Sequence, residues 1–139
     1  METKRLCWIA AWAASWAVLL APPAWAASPL VVAQDGSGDF TTVQAAIDAV
    51  PSFADERTII YIRNGVYKEK ITVPPGKLIS LIGEDREQTI LTYDDYAQKI
   101  GPGGTEIGTS GSFSFQVLAD DFYAENLTFE NAAGWGNGV

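Results

Sequence analysis

No histidine occurs among the 139 residues, and cysteine occurs once. Without an imidazole there is no Ser-His-Asp or Cys-His relay to take a nucleophile's proton. The same absence excludes a histidine-based zinc site, and one cysteine cannot supply the four thiolates of an all-sulfur site. Basic side chains are also scarce, with 9 Lys and Arg against 17 Asp and Glu, a net charge of −8 and an isoelectric point near 4.3. Such a field repels phosphate backbones, so nucleic acid is not an expected partner. The length fits about one domain.

What is present begins with a targeting pattern. Lys4 and Arg5 precede an uncharged run from Leu6 to Leu20, and Ala24-Trp25-Ala26 follows as a small-residue cleavage signal. A membrane anchor needs about 20 apolar residues. Pro22 and Pro23 break this run sooner. Residues 1–26 are therefore expected to be a signal peptide, and Cys7 leaves with it. The expected product, 27–139, is secreted or periplasmic, free of the membrane after cleavage, and contains no cysteine. An exported domain without disulfides is held by its core alone, which favours a regular, stacked architecture.

The remainder reads as one helix followed by short strands. Val43, Ala46, Ile47 and Val50 keep the spacing of an amphipathic helix, which Thr41 or Thr42 can cap and Pro51 ends. β-branched and aromatic runs follow at 58–62, 71–73, 78–82, 89–92, 113–117, 122–124 and 127–129. Asn64-Gly65, Pro74-Pro75-Gly76, Gly83 and 101–104 separate them as turns. The irregular links argue against a hairpin-built sandwich. They suit an all-β, single-stranded parallel β-helix, in which each short strand stacks on its equivalent one coil later and the early α-helix caps the open end. Residues 122–131 read as two short strands around one polar corner, with Asn126 and Asn131 placed to ladder.

Four stretches, in order, carry a family resemblance. Asp35-Gly36-Ser37-Gly38-Asp39-Phe40 leading to Thr42-Val43-Gln44-Ala45-Ala46-Ile47 resembles the opening of pectin methylesterases. Ile62–Pro74 resembles the family's I-x-x-G-x-Y-x-E segment, and Ile79–Glu84 followed by Thr89-Ile90-Leu91 resembles its apolar-Gly-acid rung. Gly108-Thr109-Ser110-Gly111-Ser112, leading to Asp121–Gly134, resembles its G-T-x-x-S and F-x-A-x-N-(I/L)-T-F-x-N-x-A-G segments.

The resemblance implies a right-handed, pectin-lyase-like parallel β-helix and a pectinesterase that removes methyl esters from polygalacturonate. It implies a monomer with methylated pectin as partner and with no metal or organic cofactor. The family's catalytic Gln, Gln-Asp and V-D-F-(I/L)-F-G motifs follow the N-x-A-G segment, so the catalytic residues are expected C-terminal to Val139. Residues 27–139 are thus read as the N-terminal part of the catalytic domain, inactive by themselves. In the whole enzyme one aspartate attacks the ester carbonyl, a second acts as acid and then base, and glutamine amides hold the oxyanion.

One binding residue carries over. Thr109 occupies the position whose family counterpart contacts the uronate chain, and a hydroxyl there serves as donor and acceptor. The structural alternative is a turn Thr that caps its own loop. Asp94-Asp95 and Asp120-Asp121 tempt as acid/base or cation pairs. Neighbours on a strand point to opposite faces, so both are expected as solvated corners. Tyr67 and Glu69 read as packing, Trp135 cannot be placed, and 101–104 lacks the Lys-Ser/Thr of a phosphate loop. Two rival readings remain: another pectin-active β-helix enzyme, or a non-catalytic extracellular carbohydrate-binding module.

Overall fold

A computed structural model describes residues 28–134. The expected signal segment 1–26 and Trp135 lie outside the described residues. The elements are β1 (Leu30–Val32), α1 (Val43–Ala49), β2 (Thr58–Ile62), β3 (Gly65–Lys68), β4 (Ile71–Val73), β5 (Ile79–Gly83), β6 (Thr89–Tyr93), a 3-10 turn (Thr109–Gly111), β7 (Phe115–Val117), β8 (Phe122–Glu125) and β9 (Thr128–Asn131).

The strands form three parallel sheets, ordered β1-β2-β5-β8, β3-β6-β9 and β4-β7. The chain visits each sheet in turn and returns one layer higher, which is a parallel β-helix, right-handed as parallel crossovers are. Leu30, Ile60, Leu81 and Ala124 stack in one column, and Tyr67, Leu91 and Phe129 in another. The period-2 pattern explains the columns. Thr58, Ile60 and Ile62 alternate with Ile59 and Tyr61, so one set faces the axis. Ile60, Ile62, Ile71, Ile79 and Leu81 are fully buried. Each such side chain contributes about 1.5–3 kcal/mol by leaving water.

A coil of this kind begins with unpaired strand edges, and polar side chains close them here. The Asp39 carboxylate accepts the Val31 N–H at 2.8 Å. The Gln34 amide donates to the Val66 carbonyl at 2.8 Å on the edge of β3. Gln44 imitates a strand on the edge of β4: its amide donates to the Thr72 carbonyl at 3.1 Å, and its oxygen accepts the Thr72 N–H at 2.8 Å.

Helix α1 lies over the same end with Val43, Ala46 and Ile47 buried. Thr42 caps its start, accepting the Ala45 N–H at 3.3 Å. The Glu69 carboxylate accepts the Val43 and Gln44 N–H groups at 2.8 and 2.9 Å. At the other end the buried Lys77 ammonium donates to the Val50 carbonyl and, at 3.4 Å, to that of Asp48. Both ends of a short helix thus receive the charge that its orphan backbone groups favour. Tyr67 is buried, and its hydroxyl donates to the Arg63 carbonyl at 3.0 Å. Tyr67 and Glu69 are therefore packing residues, although Glu69 lies beyond the end of β3 rather than on it.

The structure differs from the sequence reading in several places, and Gly83, read as a turn, is the last residue of β5. β1 and β3 were not expected. Gly65, read as a turn, opens β3 opposite Thr89, because the corner is made by Arg63 and Asn64 before pairing resumes. Strand 113–117 is shorter, starting at Phe115. The asparagine ladder is absent among the described coils. Asn126 sits over Gly83 at a left-handed corner (φ 55°), and Asn131 pairs with Tyr93 in register while its amide donates to the Asp95 carbonyl at 3.2 Å.

Replacing Gln44 with Ala should lower stability by about 1–3 kcal/mol, since it strands both polar groups of Thr72 at a half-buried edge. A urea titration measures this, and an unchanged midpoint would show that water closes the edge equally well.

Candidate functional site

The coils are not equal in length. Leu81 follows its partner Ile60 by 21 residues, whereas Ala124 follows Leu81 by 43. The surplus is the excursion 94–114 between β6 and β7, and it carries Thr109.

The excursion folds back on itself. Lys99 and Gly101 accept and donate across it to Ile107 and Thr105 at 2.9 and 2.8 Å, and the Gly108 N–H reaches the Ala97 carbonyl at 2.8 Å. Ile100 and Glu106 form an antiparallel bridge. The spacing of the Gly-Thr-Ser-Gly run then has a physical basis. Gly108 adopts φ 75°, a region that side chains disfavour. At Gly111 a Cβ would lie 2.7 Å from the Ile107 side chain, so only glycine allows that approach. Between them the 3-10 turn holds Thr109 and Ser110 exposed.

Thr109 does not cap its loop. Its backbone carbonyl accepts from the Ser112 hydroxyl at 3.1 Å and from the Ser112 N–H at 3.4 Å, leaving its own hydroxyl without a partner among the described residues. A hydroxyl held on a fixed turn and open to solvent can donate to and accept from one incoming polar group.

The root of the excursion is ionic. Asp94 and Asp95 lie past the end of β6, so the strand rule does not separate them, and both reach Lys99, at 3.6 and 2.9 Å. Asp94 also pairs with Lys68 at 3.0 Å, and Asp95 with Lys70 at 2.7 Å. Asp95 is only 6% exposed, which corrects the expectation of a solvated corner. The Lys70 and Lys99 hydrogen bonds hold the Asp95 carboxyl below its ordinary range, and the Lys68 hydrogen bond does the same for Asp94. Lys99 is raised in turn, chiefly by its bond to Asp95. Carboxylates so occupied are structural ions, not an acid/base couple. Asp121 likewise pairs with Arg57 at 2.6 Å. No cluster of three metal-ligating side chains occurs among the described residues.

Sequence reasoning missed Lys70 and Lys99. The Asp95–Lys99 spacing of four was a legible signal, but Lys70 meets Asp95 only through the coil. Two concavities of about 420 and 300 Å³ lie at the corners near Glu84, lined respectively by Arg86 and Asn126 and by Asp35 and Arg63. Neither is lined by Thr109, which stands on an exposed turn of the excursion.

Stacked parallel coils with one elaborated corner define a parallel β-helix protein. The pectinesterase family model matches residues 29–138, and the chain belongs to the pectinesterase family. It is 43% identical to pectinesterase 31 of Arabidopsis thaliana, over 77% of this chain and 35% of that protein. It is 42% identical to a pectinesterase/pectinesterase inhibitor of Brassica campestris, over 75% of this chain and 18% of that one. Among solved structures, the carrot pectin methylesterase matches with a TM-score of 0.71 at 37% identity, covering 79% of this chain and 33% of its own. A pectin methylesterase in complex with a hexasaccharide matches with a TM-score of 0.71 at 31% identity, covering 79% and 32%. The chain therefore spans about a third or less of the length of these relatives.

A carboxyl lowered by its partners contributes stability that is present above its unfolded value, about 3.9, and lost as pH falls through the folded value. Asp95→Asn should accordingly lower stability at pH 7 by about 1–3 kcal/mol, read as a lower unfolding midpoint. The penalty should shrink at a strongly acid pH below the lowered folded value, where the native carboxyl is itself protonated. Thermal scans at the two pH values measure it, and an equal penalty at both would remove the ionic account of the root.

Proposed function

We propose that this chain forms the opening coils of an enzyme that hydrolyses the methyl esters of polygalacturonate, and that Thr109 contacts the uronate chain. The observation that carries the reading is the family match over 29–138 on a coil whose Gly108–Ser112 turn keeps its hydroxyl open. The oligosaccharide complex of a related structure supports a sugar ligand.

The local electrostatics shape how such a ligand is held. Lys68, Lys70 and Lys99 each already bond an aspartate, so they do not form a bare basic patch for a polyanion. With the net charge at −8, attraction at long range is absent. Binding then rests on short-range hydroxyl and backbone contacts along the coil, and each ester removed adds a negative charge that weakens it.

The chemistry follows the aspartyl scheme that the family resemblance implies. A carboxylate attacks the ester carbonyl and methanol leaves with a proton from a second carboxyl, which then activates water. The two need different environments to hold opposite protonation states. Asp94, Asp95 and Asp121 are taken up by cations, which supports placing that pair outside residues 28–134. Residues 1–26 act as an export signal in this reading, and the exported product works in the cell wall as a monomer without a cofactor.

Purified 27–139 should retain methylated pectin in an affinity gel yet release no methanol from it. Thr109→Ala should weaken retention about fivefold, the worth of one neutral hydrogen bond. Methanol release would overturn the placement of the catalytic pair, and absence of retention would remove the sugar-contact reading of this chain.

A further inference from the structure

Thr109 stands far along an excursion that leaves the coil at Tyr93 and rejoins it at Phe115. For its hydroxyl to meet a sugar repeatedly in one geometry, the turn must be fixed to the frame. Apart from the Ile71 N–H, which donates to the Ser114 carbonyl at 3.0 Å where the chain rejoins the coil, the backbone bonds of 94–114 join the excursion to itself. A tie to the frame comes from a residue in the preceding coil.

Lys70 lies between β3 and β4, both packed in the stack. Its ammonium donates to the Gly111 carbonyl, the last residue of the Thr109 turn, and at 2.7 Å to Asp95 at the excursion's root. It also lies 4.8 Å from the centre of the Phe113 ring and 5.8 Å from that of Tyr93, within cation–π range. One cation thus bonds the frame's exit, the turn and the return. The two neighbouring lysines do otherwise. The Lys68 side chain is 61% exposed and pairs with Asp94. Lys99 belongs to the excursion and moves with it.

We propose that Lys70 is the positioning residue of the Thr109 turn, setting where the Thr109 hydroxyl stands for the sugar chain. The inference rests on the reading of Thr109 as a uronate contact. Lys70 touches no ligand in this account. It acts through the Gly111 carbonyl, and Asp95 keeps its ammonium aimed there.

The test is a double-mutant cycle in the 27–139 chain, with retention on methylated pectin as one readout and trypsin cleavage after Lys99 as the other. Lys70→Met keeps the aliphatic stem and removes the charge. It should weaken retention about fivefold when Thr109 is present, and add nothing when Thr109→Ala is already in place. Multiplying penalties would overturn the inference, because they would mean that Lys70 acts apart from Thr109. Lys70→Met should also speed cleavage after Lys99 several-fold, while Lys68→Met leaves it unchanged. Equal cleavage in both variants overturns the tether. If the unsubstituted chain retains no pectin, the functional reading fails and the cleavage readout alone decides the tether. Circular dichroism of each variant separates a displaced turn from an unfolded coil.

Discussion

Every parallel coil must begin somewhere, and its first layer leaves backbone donors and acceptors with no strand beneath them. Closing that edge is the constraint on which the rest depends. Asp39, Gln34 and Gln44 meet the backbone of β1, β3 and β4 with side-chain carboxylate and amide groups, and α1 covers the apolar interior behind them. Glu69 and Lys77 then hold the two ends of that helix. An amide is suited to this role because it offers a donor and an acceptor with the geometry of a peptide group. Within the family-like opening from Asp35 to Ile47, Asp39 and Gln44 are therefore closure residues, explained by hydrogen bonding at a sheet edge.

Once the edge is closed, register passes upward layer by layer. Ile60 stacks on Leu30, Leu81 on Ile60 and Ala124 on Leu81, so each inward position inherits the position beneath it. At the top of the described coils the filling becomes aromatic. Phe115 lies with its ring centre 5.7 Å from that of Phe122 and 4.4 Å from that of Phe129. Phe129 remains 45% exposed and Val117 37%, so this layer presents a floor for further stacking.

The same rigidity allows one corner to be elaborated without loss of register. Phe115 still pairs with Ile71 after the whole excursion 94–114 has been inserted. The excursion has few buried apolar residues of its own and is held by ions at its root. Such ions are effective there because Asp95 is shielded from water while both of its partners remain partly exposed, so the desolvation cost is shared with strong charged hydrogen bonds. The Thr92 and Ser114 hydroxyls, at the departure and the return, are buried without a hydrogen-bond partner among the described residues.

Local chemistry was legible in the amino-acid order. The helix at 43–49 follows from apolar spacing and a threonine cap, and the strands at 58–62 and 71–73 follow from β-branched alternation, because both patterns reflect which faces of one segment can be buried. The glycines around Thr109 were visible as a motif, although their reasons, a left-handed φ at Gly108 and contact with Ile107 at Gly111, required coordinates. β1 and β3 escaped because Leu30-Val31-Val32 shows no alternation and Gly65 reads as a turn, and their identity comes from the layer above. What tertiary structure alone decided is which distant residues meet. Lys70 reaches Asp95 and Gly111, and Glu69 reaches the start of α1, only because each coil returns the chain to the same azimuth one strand spacing higher. That repeat converts a sequence separation of tens of residues into a contact, and no pattern within a single segment encodes it.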